Sequence, residues 1–287
     1  RRDRPRRGRH APVARAWPGR RADDDPSPAR DGGGAHVGHA GAMYLLRDLG
    51  WRWRWRRPAA RPRPRPALAV LGSIDEWRAA RAEARALGLP RHPDPPKTWD
   101  TLAAIDAVVA RVPLTGRVLD AGGELYSTLL PSLARYGYRD LHAINLAFDR
   151  PRRRGPIVYQ PGDATRTTWA DGAFDAITCL SVIEHGVDVE RFLAEAARLL
   201  RPGGVLVIST DYWPAPVETH GRTAYGTPIK IFDRDDLGAL LAAAARHQLT
   251  PPATVDDALA AAPAERAVTW QRHDLRYTFA VLTLIRN

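Results

Sequence analysis

From Arg117 to the end of the chain, short apolar runs alternate with stretches of helical periodicity. This alternation limits the fold more than any other feature. Val118-Leu119, Leu141–Ile144, Ile157–Tyr159, Ala176–Leu180 and Val205–Ser209 are too short for helices and almost continuously apolar. Such runs read as strands covered on both faces. Between them, Leu125–Tyr136, Val189–Leu200 and Asp233–His247 carry helical spacing, the first despite Pro131. Ala267–Trp270 and Thr278–Ile285 read as closing strands with only a short turn between them. The pattern implies an α/β fold in three layers, a mostly parallel sheet between helices, with an antiparallel edge strand at the end of the chain.

Two helices are expected ahead of this unit. Ser73 and Glu76 have the spacing of a capping box and open a helix to about Leu87. After the break at Leu89–Pro96, a second helix is expected from Trp99 to Val112, with Leu102, Ile105, Val108 and Val109 on one face. The expected organisation is a disordered Arg/Pro-rich tail over residues 1–66, a helical extension over 67–112 and one domain over 113–287.

Charge separates the tail from the rest. Residues 1–66 hold 18 Arg and Lys against 6 Asp and Glu, while the remainder holds 25 against 26. The basic character therefore belongs to the tail, and the rest is near neutral. Arg61–Pro66 alternates Arg with Pro and should be extended. Trp51–Arg57 interleaves aromatic and cationic residues, a pattern that can stack on bases or sit at an anionic surface. Only two lysines stand beside 41 arginines, which GC-rich coding also produces. With Met43 the only methionine, it stays open whether residues 1–42 belong to the natural product. A nucleic-acid partner is not expected. No apolar run approaches the roughly 20 residues that span a bilayer, and no signal-peptide apolar region is seen, so membrane insertion is not expected and a cytoplasmic location is. One cysteine, Cys179, excludes an intramolecular disulfide and a multi-cysteine metal site. It should be a buried small hydrophobe.

In a sheet of this kind ligands bind beyond the carboxyl ends of the strands. Arg117–Gly122 runs a strand into Asp120 and then Gly122-Gly123, where the backbone can approach a ligand closely. The later blocks are Phe174–His185 and Leu199–Thr210, the second carrying a Pro202-Gly203-Gly204 turn. In this order and at these spacings, residues 98–287 resemble the S-adenosylmethionine-dependent methyltransferases with a Rossmann-like fold. The resemblance implies a seven-stranded, mostly parallel sheet with an antiparallel edge strand, and S-adenosyl-L-methionine as the cofactor. It places Asp120, Gly122 and Gly123 at the methionine moiety and Asn145 at the ribose. Asp163 would receive the adenine amino group, the Ala164 N–H would meet a ring nitrogen, and Ser181 would border cofactor and acceptor. The chain departs from the family where Gly122-Gly123 is followed by Glu124, and where Asn145 replaces an acidic residue. The loop reads as shortened by one residue, as eroded, or as a plain strand–turn–helix.

His185, Asp211 and His220 are the candidate proton acceptors. The imidazoles titrate near neutrality, and Asp211 follows the last parallel strand. Tyr212 and Trp213 could stack on an acceptor, and Asp233 should cap the following helix. Ubiquinone-pathway O-methyltransferases carry Glu-x-x-Glu-His where this chain has Ser181–His185, so a proposed cation would lose a ligand here and no metal is expected. The leading expectation is methyl transfer to oxygen, or nitrogen, of a small molecule or glycan precursor. The alternatives are a non-catalytic protein of the same fold, a nucleic-acid-modifying enzyme guided by the tail, and a nicotinamide oxidoreductase. The last is disfavoured because no Gly-x-Gly-x-x-Gly follows the first strand.

Overall fold

The computed structural model describes residues 57–287. The Trp51–Arg57 alternation, Arg57 apart, and the open question over residues 1–42 lie outside the described residues. In chain order the elements are β1 (Leu68–Val70), α1 (Ile74–Ala86), α2 (Lys97–Arg111), β2 (Arg117–Ala121), α3 (Leu129–Tyr136), β3 (Asp140–Asn145), β4 (Arg152–Arg154), β5 (Ile157–Pro161) and β6 (Phe174–Leu180). They continue as α4 (Val189–Leu199), β7 (Leu200–Tyr212), β8 (Thr223–Ala224), β9 (Thr227–Pro228), α5 (Arg234–Arg246), β10 (Leu249–Thr250), α6 (Asp256–Ala260), β11 (Val268–Trp270) and β12 (Leu275–Arg286).

The main sheet runs β1-β12-β7-β6-β2-β3-β5-β4, with β10 and β11 also paired to β12. β7, β6, β2, β3 and β5 are mutually parallel. β12 is antiparallel to β7. The chain builds outward from β2 through β3 to β5, then crosses to β6 and β7, so the order reverses between β2 and β6. The three-layer Rossmann-like α/β arrangement is present. Alternation along each strand feeds two cores. Val118, Val205, Val207, Tyr277 and Phe279 join α2 and α3 on one face. Leu119, Leu206, Ile208, Ala280 and Leu282 join α4 and α5 on the other.

Several expectations need correction. Among the described residues the sheet has ten strands rather than the seven expected, and β12 is not its edge, because β1 covers it with Leu68 opposite Leu282. The 67–112 extension is therefore not wholly helical. The added strands β1, β4 and β10 are two or three residues long, below what periodicity can detect. β4 is three arginines on an edge, where charge discourages pairing with a further strand. α3 starts at Leu129, not Leu125. Glu124–Ser127 instead form a turn, with the Ser127 N–H on the Glu124 carbonyl at 3.0 Å. Pro131 thus falls in the first helical turn, where its missing N–H costs nothing.

Two caps follow the sequence. Asp233 accepts from the Asp236 N–H at 2.9 Å, with Asp236 answering at the Asp233 N–H. Ser73 accepts from Glu76 N–H at 3.3 Å, but the Glu76 carboxylate turns to the Gly72 N–H at 3.0 Å instead of closing the box. Residues 57–66 contain no helix or strand. Their backbone is tied to the helices: the Arg63 N–H donates to Glu83 at 2.6 Å, and the Tyr136 hydroxyl donates to the Ala60 carbonyl at 2.9 Å.

α2 decides the shape of the site. Its apolar residues Trp99, Leu102, Ile105 and Val108 are buried, but so are Thr98, Asp100, Thr101 and Asp106. A helix buried all round must place its polar side chains against partners. For Asp100 those partners lie at the carboxyl ends of the strands.

Candidate active site

The carboxyl ends of β2, β6 and β7 and the start of α2 enclose a ring of hydrogen bonds. The Ser181 N–H donates to Ser209 Oγ at 3.1 Å, and Ser209 Oγ donates to Asp100 Oδ2 at 2.7 Å. Lys97 Nζ donates both to Asp100 Oδ2 and to Ser181 Oγ, closing the ring. Ser181 holds φ at 50°, in the left-handed region a serine rarely adopts, right after β6. Lys97 also lies over the Phe279 ring at 4.4 Å. Burial alone would lower the Lys97 ammonium, but the Asp100 carboxylate together with the Glu184 and Asp211 charges outweighs it, so its pKa is raised and the charge is kept.

Asp120, 4 % exposed, accepts from Thr178 Oγ1 of the neighbouring strand at 2.8 Å. Burial pushes its carboxyl up to about 7, with the Asp100 charge adding to the effect and the Thr178 hydroxyl opposing it. After Ala121, Gly122 and Gly123 must be glycine for steric reasons. Gly122 has φ 86°, and a Cβ there would overlap the Val182 side chain; one on Gly123 would overlap the Asp120 carboxylate. The turn is held by the Gly122 N–H on the Ile144 carbonyl at 2.8 Å. A cavity of about 40 Å³ separates the turn from Lys97 and His92. The His92 ring is lowered to about 4, by burial first and then by the Lys97 charge.

Asn145 ends β3 and braces the turn: Nδ2 donates to the Gly122 carbonyl at 2.9 Å, and Oδ1 accepts from the Ala147 N–H at 2.9 Å. Asp163 is exposed, with Oδ1 taking the Thr165 N–H at 2.8 Å and hydroxyl at 2.7 Å, a local turn. Ala164 packs on the core beside it.

Asp211 ends the apolar part of β7, 4 % exposed, and is hydrogen-bonded to Tyr277 of β12. Burial, then the Glu184 charge, raises its carboxyl well above the ordinary range. Glu184 is 1 % exposed and accepts from Thr210 Oγ1 at 3.3 Å, while its Oε1 has no partner among the described residues. Asp100 Oδ1 and His185 Nδ1 are likewise buried without partners. The His185 ring is lowered by burial and stands edge-on to Tyr225, centroids 4.8 Å apart.

The structure thus gathers Asp120, Gly122, Gly123, Ser181, His185 and Asp211 into one region, with Asn145 bracing it. His220 is different. It is exposed, at φ 51° in a loop, with no hydrogen bond to this cluster. Tyr212 is fully buried in the second core and offers no stacking face. Trp213 lies under the Arg266 guanidinium at 4.6 Å. Cys179 is buried, its thiol pushed up by burial, as a core hydrophobe should be. Sequence reasoning missed Lys97, Asp100 and Tyr277. The first two precede the alternating pattern, and Tyr277 reads as one more apolar strand position. Lysine scarcity was the only available signal, since Lys97 is one of two in the chain. A concavity of about 610 Å³ lies along β1, with Arg65 and Glu76 its titratable lining groups, away from this cluster. Among the described residues no group of three His, Cys, Asp or Glu is placed to hold a metal ion, and no helix is long and apolar enough to cross a membrane.

Residues 117–208, from the start of β2 through Ile208 of β7, match the profile of a methyltransferase domain. Over this segment the chain is similar to methyltransferase domains. Among curated proteins, the chain is 43 % identical over 84 residues to a demethylmenaquinone methyltransferase of Beutenbergia cavernae, covering 28 % of this chain and 33 % of that one. It is 38 % identical over 118 residues to a ubiquinone biosynthesis O-methyltransferase of Xanthomonas oryzae, covering 37 % and 48 %. The chain spans between a third and a half of the length of these relatives. Among solved structures, a Burkholderia thailandensis 1,6-didemethyltoxoflavin-N1-methyltransferase aligns at 17 % identity and a TM-score of 0.48, over 90 % of this chain and 94 % of that one. The methyltransferase-domain segment carries the glycine turn, Asn145, Asp163, Ser181 and Glu184. Lys97, Asp100, Asp211 and Tyr277 come from outside it.

Proposed function

We propose that the protein is an S-adenosylmethionine-dependent methyltransferase acting on a small molecule, with oxygen as the acceptor atom. The carrying observation is the buried cluster at the carboxyl ends of β2, β6 and β7, built around the glycine turn of a methyltransferase-domain segment. Its charge suits the cofactor. Among the described residues, Asp100, Asp120, Glu184 and Asp211 surround one buried cation, Lys97, and two of these carboxylates have unpartnered oxygens. Such a set favours a ligand with one carboxylate and two positive centres, an ammonium and a sulfonium.

In this reading Lys97 holds the cofactor carboxylate, and Asp120 with the turn at Gly122 and Gly123 holds the ammonium end. Asn145 meets the ribose, its amide retaining one N–H and one lone pair. Asp163 Oδ2 and the Ala164 N–H meet the adenine, and Ser181 borders the transferred methyl. The cofactor supplies an electrophilic methyl group. The protein holds the acceptor oxygen in line and removes its proton. His185 and Asp211 are the candidate bases; nothing supports His220 beyond its place in the sequence. The cavity of about 40 Å³ is smaller than a nucleoside, so binding requires residues 90–97 to move and Lys97 to leave Asp100. That small volume also favours a second reading, a non-catalytic protein of the same fold. A glycan-type acceptor and a cytoplasmic location remain part of the proposal, as does residues 113–287 forming the methyltransferase domain behind the 67–112 extension.

Calorimetric titration of the full chain with S-adenosylhomocysteine tests this, beside an Asp120→Ala, Asn145→Ala variant. Micromolar binding, about −8 kcal/mol, that the variant loses supports the cofactor site. A folded wild-type chain that binds nothing sinks it in favour of the second reading.

A further inference from the structure

The segment that leads into α2 lies against the glycine turn as a strap. It carries Pro90, Pro93, Pro95 and Pro96, which have no backbone N–H to donate and hold their own φ fixed. It starts just after Gly88, at φ 67°, and it ends at Pro96, which opens α2 without a side-chain cap. Arg91, Pro93 and Asp94 are exposed. The His92 ring stands edge-on to Tyr126, centroids 5.8 Å apart, and the Asp94 N–H donates to His92 Nδ1 at 3.1 Å. Lys97 fastens the far end. Its ammonium reaches Asp100 one turn on and Ser181 after β6. Together His92 and Lys97 face Asp120, Gly122 and Gly123 across the cavity of about 40 Å³. Asp100 is fully buried: Oδ2 takes both Lys97 and the Ser209 hydroxyl, while Oδ1 has no partner among the described residues.

We propose that the Lys97–Asp100 pair is a latch on this strap, opened by exchange with the α-amino acid group of the ligand: the ligand carboxylate takes Lys97, and its ammonium takes the place of Lys97 between Asp100 and Asp120. The proposal rests on the cofactor reading above and names the part of the ligand that opens the site.

Charge is the reason for an exchange. Drawing Lys97 away with nothing in return leaves Asp100 buried beside no cation, which is strongly unfavourable. A ligand end with one carboxylate and one ammonium replaces one internal ion pair by two, and the buried charge does not change. The ammonium also carries three N–H donors, enough to serve the idle Asp100 Oδ1. The four-carbon stem of Lys97 lets its head swing while α2 stays wound. Glu184 and Asp211, whose charges also act on Lys97, are fixed at the ends of β6 and β7 and favour a cation there in either state. A ligand lacking the amino acid group has to break the latch and supplies nothing to replace it.

The test uses the full chain and two ligands, S-adenosylhomocysteine and 5′-methylthioadenosine, which keeps the nucleoside and thioether but lacks the amino acid group. Wild type should bind the first at least about a hundredfold more tightly. Asp100→Asn removes the latch and leaves Lys97 free, so it should bind 5′-methylthioadenosine at least about tenfold more tightly than wild type does. A purely structural ion pair would give no such gain. Trypsin supplies a second readout, as the fragment that begins at His92. Cleavage after the exposed Arg91 should be several-fold faster in Asp100→Asn, since it follows the open population, and S-adenosylhomocysteine should slow it again. Should Asp100→Asn fail to fold, Ser181→Ala must shift both readouts in the same directions. Unchanged or weaker 5′-methylthioadenosine binding in the folded variant, or a wild-type preference below about tenfold, overturns the latch. Absence of binding by either ligand to folded wild type overturns the cofactor reading itself, a distinct outcome.

Discussion

Replacing Asp120 by Asn should stabilise the protein at neutral pH while weakening cofactor binding. The carboxyl is buried and sits at about 7 instead of the ordinary 3.8, so the folded chain keeps a proton that the unfolded chain has released. A raised folded value makes stability fall as pH rises between about 4 and 7, with no further loss above. At about 1.4 kcal/mol per pH unit, the whole window amounts to roughly 4 kcal/mol. Asn keeps an oxygen for the Thr178 hydroxyl at the 2.8 Å site and carries no charge to desolvate. Chemical denaturation of wild type and Asp120→Asn at pH steps from 4 to 8 isolates the effect, since other titrating groups cancel in the difference. The variant's advantage should grow across that window by about 2–4 kcal/mol. A difference flat to within about 1 kcal/mol would mean that Asp120 is ionised without penalty, and the reasoning about this buried cluster would fail.

Lys97→Met alone leaves Asp100 buried beside no cation, and should cost about 3–5 kcal/mol in denaturant unfolding. Adding Asp100→Leu should recover most of that stability but not S-adenosylhomocysteine binding. Gly123→Ala drives a Cβ into the Asp120 carboxylate and should cost about 1–3 kcal/mol, with at least about tenfold weaker S-adenosylhomocysteine binding; unchanged binding would remove the turn from the site. Proton NMR should show the His185 ring titrating below its ordinary 6.5 because of burial, so the stability tied to it is present above 6.5 and declines as pH falls. His220→Ala should change stability by no more than about 0.5 kcal/mol and leave nucleoside affinity intact; a tenfold loss would return His220 to the site.

Much of the sheet was legible because its central strands are covered on both faces. Val118-Leu119, Ala176–Leu180 and Val205–Ser209 had to be apolar in both directions of the pleat, which leaves an unbroken mark in one dimension. β1 and β4 leave no such mark: one is three residues completing an edge, the other three arginines along one, Arg152 and Arg153 exposed and Arg154 half-buried. Asp120 and Ser181 could be located because each sits at a fixed offset from a readable strand. His220 shows where that reasoning ends, since a residue in a long loop has no offset that fixes where its side chain points.

By itself the sequence determined the layers, the parallel core, the glycine turn after β2 and the burial of Cys179, all consequences of local periodicity and backbone sterics. Tertiary structure alone decided what surrounds that turn. Lys97 and Asp100 reach it from a helix before the domain's first parallel strand, and Tyr277 reaches Asp211 from the last strand. Their meeting depends on sheet order and on a helix buried on every side. Whether a carboxylate sits at 3.8 or about 7 depends on the solvent and charges around it, and those are assembled only when distant segments pack together.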